Sequence, residues 1–391
     1  MVFRTDASVK IGTGHVMRCL TLADALKQRG SQCRFICREH EGNLLEYVRQ
    51  RGHGTFSLPA PSDGRPRGTT NGGDVPSESL LLGADWATDA AQSRAGFGES
   101  AVDWLIVDHY GIDSRWEKEV RPLCRQLMVI DDLANRPHDC DVLLDQNYYR
   151  DQDQRYQGLL PGHCATILGP KYVLLRQEFF AERQRLRSRD GTVKRILVFF
   201  GGSDPTHETE KALAALERLE TADISVDVVV GATNPNRDSI RTRCRKLPHA
   251  VNHCAVSNMA ELIARADLGI GGGGSSMWER CYLGLPTITA ALADNQLRAT
   301  EDVGGIGAID YLGRSSELAA EDYARAIKNM IMDPERARRV SEAALNLVGE
   351  GSVSSVVDAM LGRKVSNVKT ENNAVHSSKT LLSGRPEIQS E

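Results

Sequence analysis

No stretch of this 391-residue chain approaches the ~20 consecutive apolar residues of a membrane-spanning helix, so no membrane span is expected. Its opening reads as a strand, Val2-Phe3-Arg4-Thr5-Asp6, rather than as a charged-then-apolar leader. C-x-x-C pairs are missing. The nine cysteines (Cys19, Cys33, Cys37, Cys124, Cys140, Cys164, Cys244, Cys254, Cys281) are odd in number and scattered, which points to neither a disulfide framework nor a zinc site. Most lie in apolar runs, where a thiol packs as a small hydrophobe, and a reduced, cytoplasmic setting is expected. Neither sign of charge dominates. A net charge of −4 leaves no basic footprint for nucleic acid or an anionic membrane.

What is present suits a globular protein of two domains, each large enough to bury a core unaided. The first half alternates strand and helix signals. Residues 2–6 read as a strand, and from His15 the spacing turns helical, with Val16, Leu20, Ala23 and Leu26 on one face and Gly30 as the stop. Further strands are expected at 34–37, 104–107, 127–130 and 142–144, a short helix at 44–50, and a helix begun by a Ser114/Glu117 capping box. Strands separated by helices imply a parallel sheet covered on both faces. The rhythm fails over 59–100, which reads as an insertion loop near the cleft, mobile or disordered, although 84–94 has the composition for a helix. Residues 1–178 are read as an N-terminal domain and 179–190 as a charged linker whose arginines form a solvated helix face. Residues 191–363 are read as a C-terminal domain and 364–391 as a disordered tail. The second domain restarts the alternation at 196–200, and one of its helices is read as capped by Asn258 with Glu261.

Three glycine-rich turns join strands to helices, the edge of a doubly wound sheet where ligands bind. In the first, Gly12-Thr13-Gly14-His15, the helix end is positive, a polarity that favours the neutral imidazole a general base needs. A capping or core histidine fits the same position. A dinucleotide fingerprint is not completed, because Met17 and Arg18 stand where its third glycine belongs. The second turn is Gly201-Gly202-Ser203-Asp204-Pro205, and the third is Gly271-Gly272-Gly273-Gly274-Ser275-Ser276. Exposed amides, a helix N-terminus and serine hydroxyls cradle a diphosphate without a metal, although a tight turn explains glycine equally well. Glu279, one helical turn on, is placed to accept hydrogen bonds from a ribose diol. Asp139-Cys140-Asp141 has the D-x-D form of metal-dependent transferases, but it precedes a strand, which argues against a metal role. Asp131-Asp132 and Asp294-Asn295-Gln296 follow strands and reach toward the same mouth, a turn role serving Asp131-Asp132 as well.

These residues carry a family pattern. Arg4-Thr5-Asp6-Ala7-Ser8 with Gly12-Thr13-Gly14-His15-Val16-Met17-Arg18-Cys19-Leu20 resembles the opening of the bacterial UDP-2,4-diacetamido-2,4,6-trideoxy-β-L-altropyranose hydrolases of pseudaminic acid biosynthesis. Val107-Asp108-His109-Tyr110-Gly111, Asp131-Asp132-Leu133-Ala134, Asp145-Gln146-Asn147-Tyr148 and Gly169-Pro170-Lys171-Tyr172 follow in order, as do the second-domain glycine turns and Ala293-Asp294-Asn295-Gln296. The resemblance runs from about residue 2 to 313, weakening over 59–100. It implies two Rossmann-like doubly wound α/β domains facing across a cleft, glycosyltransferase-B-like, with no metal and no cofactor. It further implies His15 as catalytic base, with Tyr110 and Asn295 beside the sugar. Substrate contacts fall to Arg176 and Glu279, joining Gly12, Gly14, Gly201, Gly202, Ser203, Gly273, Gly274 and Ser275 of the turns.

The reading that follows is hydrolysis of a UDP-sugar at the anomeric carbon, with a nucleotide sugar and water as the only partners. A glycosyltransferase that places a sugar or lipid acceptor where water would stand is the nearest alternative. A non-catalytic UDP-sugar-binding protein is the second, and an intact His15 argues against it.

Overall fold

The computed structural model of the protein describes residues 1–61, 81–202, 204–219, 223–232, 234–351 and 353–362. The expected 364–391 tail, residues 62–80 of the expected insertion and Ser203 lie outside the described residues.

In the first half, β1 (Val2–Thr5), α1 (Gly14–Gln28), β2 (Arg34–Arg38), α2 (Leu45–Gln50) and β3 (Gly54–Leu58) are followed by α3 (Trp86–Arg94) and β4 (Val102–Asp108). Then come α4 (Ser114–Val120), β5 (Cys124–Ile130), β6 (Val142–Asp145) and β7 (Ala165–Leu168). The strands form one parallel sheet in the order β3-β2-β1-β4-β5-β6-β7. Both faces are covered, which is why these strands are nearly continuous apolar runs: Phe3 packs into one face's core and Val2 into the other's.

The second half opens with α5 (Gln177–Gln184), β8 (Arg195–Phe199), α6 (Glu208–Arg218), β9 (Ser225–Val230), α7 (Arg237–Cys244) and β10 (Ala250–Cys254). It continues through α8 (Met259–Arg265), β11 (Leu268–Gly272), α9 (Ser275–Tyr282), β12 (Thr287–Ala291), α10 (Asp294–Gly305) and β13 (Asp310–Arg314). Helices α11 (Ala320–Met332), α12 (Pro334–Val348) and α13 (Val353–Met360) close it. This parallel sheet runs β10-β9-β8-β11-β12-β13. In each sheet the chain starts centrally, builds outward on one side and returns to build the other. The order therefore reverses between β1 and β4, and again between β8 and β11, opening a crevice at the strands' carboxyl ends.

Several expectations are corrected. Helix α3 is part of the domain rather than of an insertion loop: its Asp89 is fully buried, receiving two bonds from Arg4 (3.1 and 2.7 Å), one from Arg38 (2.6 Å) and one from Trp116 (3.0 Å). Helix α13, which the boundary at 363 gives to the second domain, packs Val356, Val357 and Met360 into the first domain's core. Asp113, not Ser114, caps α4, accepting from the Arg115 amide at 2.9 Å. Glu117 is drawn inside, 2.6 Å from His138 Nδ1 and accepting the Asp139 amide at 2.5 Å. Asn258 bonds the Glu261 side chain at 2.9 Å rather than a helix amide.

In the linker, Arg189 leaves the solvated face. It is buried and donates to the carbonyls of Ile263, Ala264, Ala266, Leu283 and Gly284. These are the C-terminal ends of α8 and α9, whose spare carbonyls and negative dipole ends suit a five-donor cation. Burial still pulls Arg189 down to about 10.

Candidate functional site

The first domain's switch point brings together residues from α1 and β4. After β1 the chain makes a tight turn in which Ser8 and Gly12 exchange backbone bonds (Gly12 N to Ser8 O, 2.8 Å), and Gly12 takes φ +80°, a conformation that glycine favours. Its amide is thus used within the turn. Helix α1 then starts at Gly14, placing His15 and Arg18 three residues apart on one face.

Both residues meet Asp108, the last residue of β4. His15 Nδ1 lies 2.6 Å from Asp108 Oδ1, Arg18 Nε donates to Oδ2 at 2.6 Å, and Arg18 Nη2 donates to Oδ1 at 2.7 Å. Burial alone would raise the Asp108 carboxyl, but the Arg18 guanidinium and His15 outweigh it and hold it below the usual carboxylate range. Arg18 Nη2 is 3.3 Å from His15 Nδ1, longer than the Asp108 contact, so the carboxylate is the nearer partner and orients the ring with Nδ1 as its donor. Arg18 also reaches Asp132 Oδ2 at 3.1 Å. Tyr110 stands edge-on to His15, ring centres 4.5 Å apart. Burial, and then Asp132, push its hydroxyl above the ordinary tyrosine value.

The second domain closes this mouth from the other side. Asn295 Nδ2, in the first turn of α10, donates to the Tyr110 hydroxyl at 3.1 Å. A Cβ on Gly14 would lie 3.7 Å from Ser275 Oγ, so the N-termini of α1 and α9 face each other. The first amides of both helices have no intrahelical partner, and two positive ends converge on one space.

The second-domain turns divide the roles expected of them. Gly273 is committed to packing: its amide donates to Ala290 O at 3.0 Å, and a Cβ there would sit 2.3 Å from Thr300 Oγ1. Gly274 precedes α9 and Ser275 is exposed, so the end of this turn open to the cleft is 274–276. Gly201 and Gly202 border open space. The helix after them is already capped, however, since Asp204 accepts from the amides of Glu208 (3.0 Å) and Thr209 (2.9 Å). Arg176 and Glu279 meet across the domains, Nη2 donating to Oε1 at 3.3 Å, with Glu178 3.1 Å from the same guanidinium. Burial raises the Glu279 carboxyl and Arg176 opposes it.

Two residues of the site were not singled out by sequence reasoning, Asp108 and Arg18; of the pair Asp131-Asp132 expected at the mouth, Asp132 is the one that reaches Arg18. The available signal was an aspartate at the carboxyl end of the strand that pairs with β1. Of the other acids, Asp131 serves a turn, accepting from the Ala134 amide at 2.9 Å and pairing with Arg136 at 2.8 Å. Asp141 is held by Arg121 at 2.7 and 2.6 Å, before β6 and away from the mouth. Among the described residues no three His, Cys, Asp or Glu side chains are grouped as metal ligands. Within the same residues, no helix is long and apolar enough to cross a membrane.

Comparison with known proteins agrees with this architecture. Residues 196–350 match the family model of the glycosyltransferase family 28 C-terminal domain. The chain is 26% identical over 309 residues to an uncharacterized protein of Methanocaldococcus jannaschii, covering 75% of this chain and 55% of that one. It is 26% identical over 236 residues to the UDP-2,4-diacetamido-2,4,6-trideoxy-β-L-altropyranose hydrolase of Campylobacter jejuni (60% and 71% covered). It is 30% identical over 166 residues to the spore coat polysaccharide biosynthesis protein SpsG of Bacillus subtilis (41% and 48% covered). The chain thus spans about half the length of the first and third of these relatives. Among solved structures, MurG of Acinetobacter baumannii superposes with a TM-score of 0.59 at 14% identity, covering 93% of this chain and 99% of that one. UGT89C1 of Arabidopsis thaliana, solved with UDP-L-rhamnose, gives 0.61 at 14% identity, covering 92% and 98%. At such identities the likeness is one of fold. Two parallel sheets of seven and six strands, with a second domain matching the family 28 model, make this a protein of the glycosyltransferase-B fold.

Proposed function

We propose that this protein hydrolyses a UDP-linked 2,4-diacetamido-2,4,6-trideoxy sugar at the anomeric carbon, releasing UDP and the free sugar. The observation that carries the reading is the His15–Asp108 pair at 2.6 Å, at the N-terminal end of α1 where it faces the start of α9. In this reading Nε2 takes a proton from water as the water oxygen bonds to the anomeric carbon. The bond from that carbon to the UDP oxygen breaks, and UDP leaves with the electron pair. Asp108 stabilises the resulting imidazolium, a general-base contribution of roughly 10²–10⁴-fold. The α9 amides stabilise the charge gathering on the leaving diphosphate. Tyr110 and Asn295 flank the sugar, while Arg176 and Glu279 lie toward the nucleoside. The name of the Campylobacter jejuni relative supports the choice of sugar and of water as acceptor.

Glycosyl transfer is the second reading, and the family 28 match favours it. The two separate on one measurement. Purified protein incubated with the UDP-sugar and no acceptor should release UDP and free sugar in equal amounts, and turnover in ¹⁸O-water should label the sugar. UDP release only on adding an acceptor would replace hydrolysis with transfer, and label in the β-phosphate would place water's attack at phosphorus.

A further inference from the structure

Among the described residues, three of the five buried guanidinium groups are paired with carboxylates and two, Arg189 and Arg280, are not. Arg4 lies 2.8 Å from Asp6 and 2.7 Å from Asp89, Arg38 lies 2.6 Å from Asp89, and Arg18 lies 2.6 Å from Asp108. Arg189 has no close carboxylate, but its fork is filled by carbonyls at the negative ends of two helices. Arg280 is only 2% exposed and makes no ion pair among the described residues. Its Nη2 donates to Gly272 O at 2.6 Å, its Nη1 to Ser276 Oγ at 3.1 Å, and its Nε has no partner.

The position is also electrostatically adverse. From the second turn of α9 the side chain points back toward the helix N-terminus, as long helical side chains do. A cation therefore sits at the positive end of a helix, and burial lowers Arg280 to about 10. Space is reserved for it nonetheless. A Cβ at Gly271 would lie 2.8 Å from Arg280 Nη1, and one at Gly269 3.2 Å from its Cδ. Two glycines on one face of β11 thus keep a slot under the turn for a charge that makes no ion pair among the described residues, Glu279 acting on it only through space and not offsetting its burial. A buried charge left without an ionic partner is strongly destabilising. An anion at the α9 N-terminus would offset the charge and the adverse dipole together.

We propose that Arg280 is the buried counter-charge for a nucleoside diphosphate held by the amides of Gly274, Ser275 and Ser276. This rests on the functional reading above and names a residue that acts from behind the turn, without touching the reacting atoms. Neutralising Arg280 should separate stability from binding. In Arg280→Met, titration calorimetry should show the affinity for UDP and for inorganic pyrophosphate falling about tenfold or more while uridine binds as before. The ligand-free thermal midpoint should stay level or rise, because an uncompensated charge has gone. Arg280→Lys should keep most of the UDP affinity. If Arg280→Met does not fold, Arg280→Gln, which keeps hydrogen-bonding capacity without charge, takes its place in the titration. An unchanged ratio of UDP to uridine affinity in the neutral variant overturns the inference. Wild-type protein that binds neither UDP nor pyrophosphate overturns the functional reading itself.

Discussion

Across the cleft, the carboxyl edges of the two sheets treat buried charge differently. In the first domain Asp108 is gripped by Arg18 through both carboxylate oxygens and by His15 at 2.6 Å, and Asp6 lies between Arg4, His109 and His40. In the second domain the charge under the glycine turn, Arg280, has a carbonyl and a hydroxyl for partners and no carboxylate. A fully matched network fixes geometry and resists rearrangement, which suits a side chain that must hold one tautomer and one orientation. An unmatched charge spends stability until a ligand of opposite sign arrives. On the proposed function, the matched network suits proton transfer in the first domain and the unmatched charge suits anion binding in the second.

The largest effect that tests this division is on turnover. His15→Ala should lower kcat by roughly 10²–10⁴-fold and leave UDP affinity near wild type, if the proposed function is right that the diphosphate is held by the other domain. Near-normal kcat would remove the base from the proposal, and lost UDP binding would erase the division of labour. Next, Asp108→Asn leaves Arg18 with Asp132 at 3.1 Å as its remaining charge partner and should destabilise the fold by about 3 kcal/mol in chemical denaturation. Asp108 is held below its ordinary value, so the stability it contributes is present above the usual carboxylate range and lost as pH falls through its folded value. Asparagine should remove that part of the acid-side slope. A variant as stable as wild type at neutral pH would mean that the pair only orients His15.

Asp145 sharpens the comparison, because in the first domain it is a buried carboxyl whose partners, Arg155 and Tyr156, do not offset its burial. Burial, followed by the neighbouring Asp132, pushes it up to about 7, with Arg155 at 3.3 Å only partly opposing. The folded protein therefore keeps a proton that the unfolded chain releases. Stability should decline as pH rises from the ordinary carboxylate range to about 7, and Asp145→Asn should flatten that decline. Denaturation midpoints between pH 4 and pH 8 that are identical in the two proteins would refute this. The smallest effect belongs to Asn295, whose exposed 3.1 Å bond to Tyr110 joins the domains. Asn295→Ala should cost about 1 kcal/mol, read as a KM raised several-fold with kcat little changed. A collapse of kcat would instead put Asn295 in the chemistry.

Much of the frame is legible from local pattern. The spacing of Val16, Leu20, Ala23 and Leu26 predicts α1, and all four are buried there. Central strands such as β4, β8 and β11 announce themselves as apolar runs because both their faces are covered. Edge strands do not: β3 has two exposed and two half-buried positions among its five, and β13 is half-buried throughout, so neither carries a strong signal. Helix α13 has an apolar face but nothing in its sequence says which domain's core will receive it. The candidate site divides in the same way. Glycine turns before helices mark His15 and Ser275, whereas the acid that orients His15 lies 93 residues away. The turn 271–274 reads as uniform, yet Gly271 makes room for Arg280 and Gly273 makes room for Thr300, while a Cβ on Gly274 would meet only Gln296 Nε2, at 3.4 Å.

Alternating apolar runs, capped helices and glycine turns are properties of neighbouring residues, and they suffice to specify two doubly wound domains with ligand-facing turns at their carboxyl edges. Which charges meet is a property of the assembled molecule. The energy of an ion pair depends on separation and on the dielectric around it, and a sequence contains neither. Only the packing of β4 beside β1 made Asp108 the partner of His15 and Arg18. The burial of α9 against β11 is likewise what left Arg280 without an ion pair among the described residues.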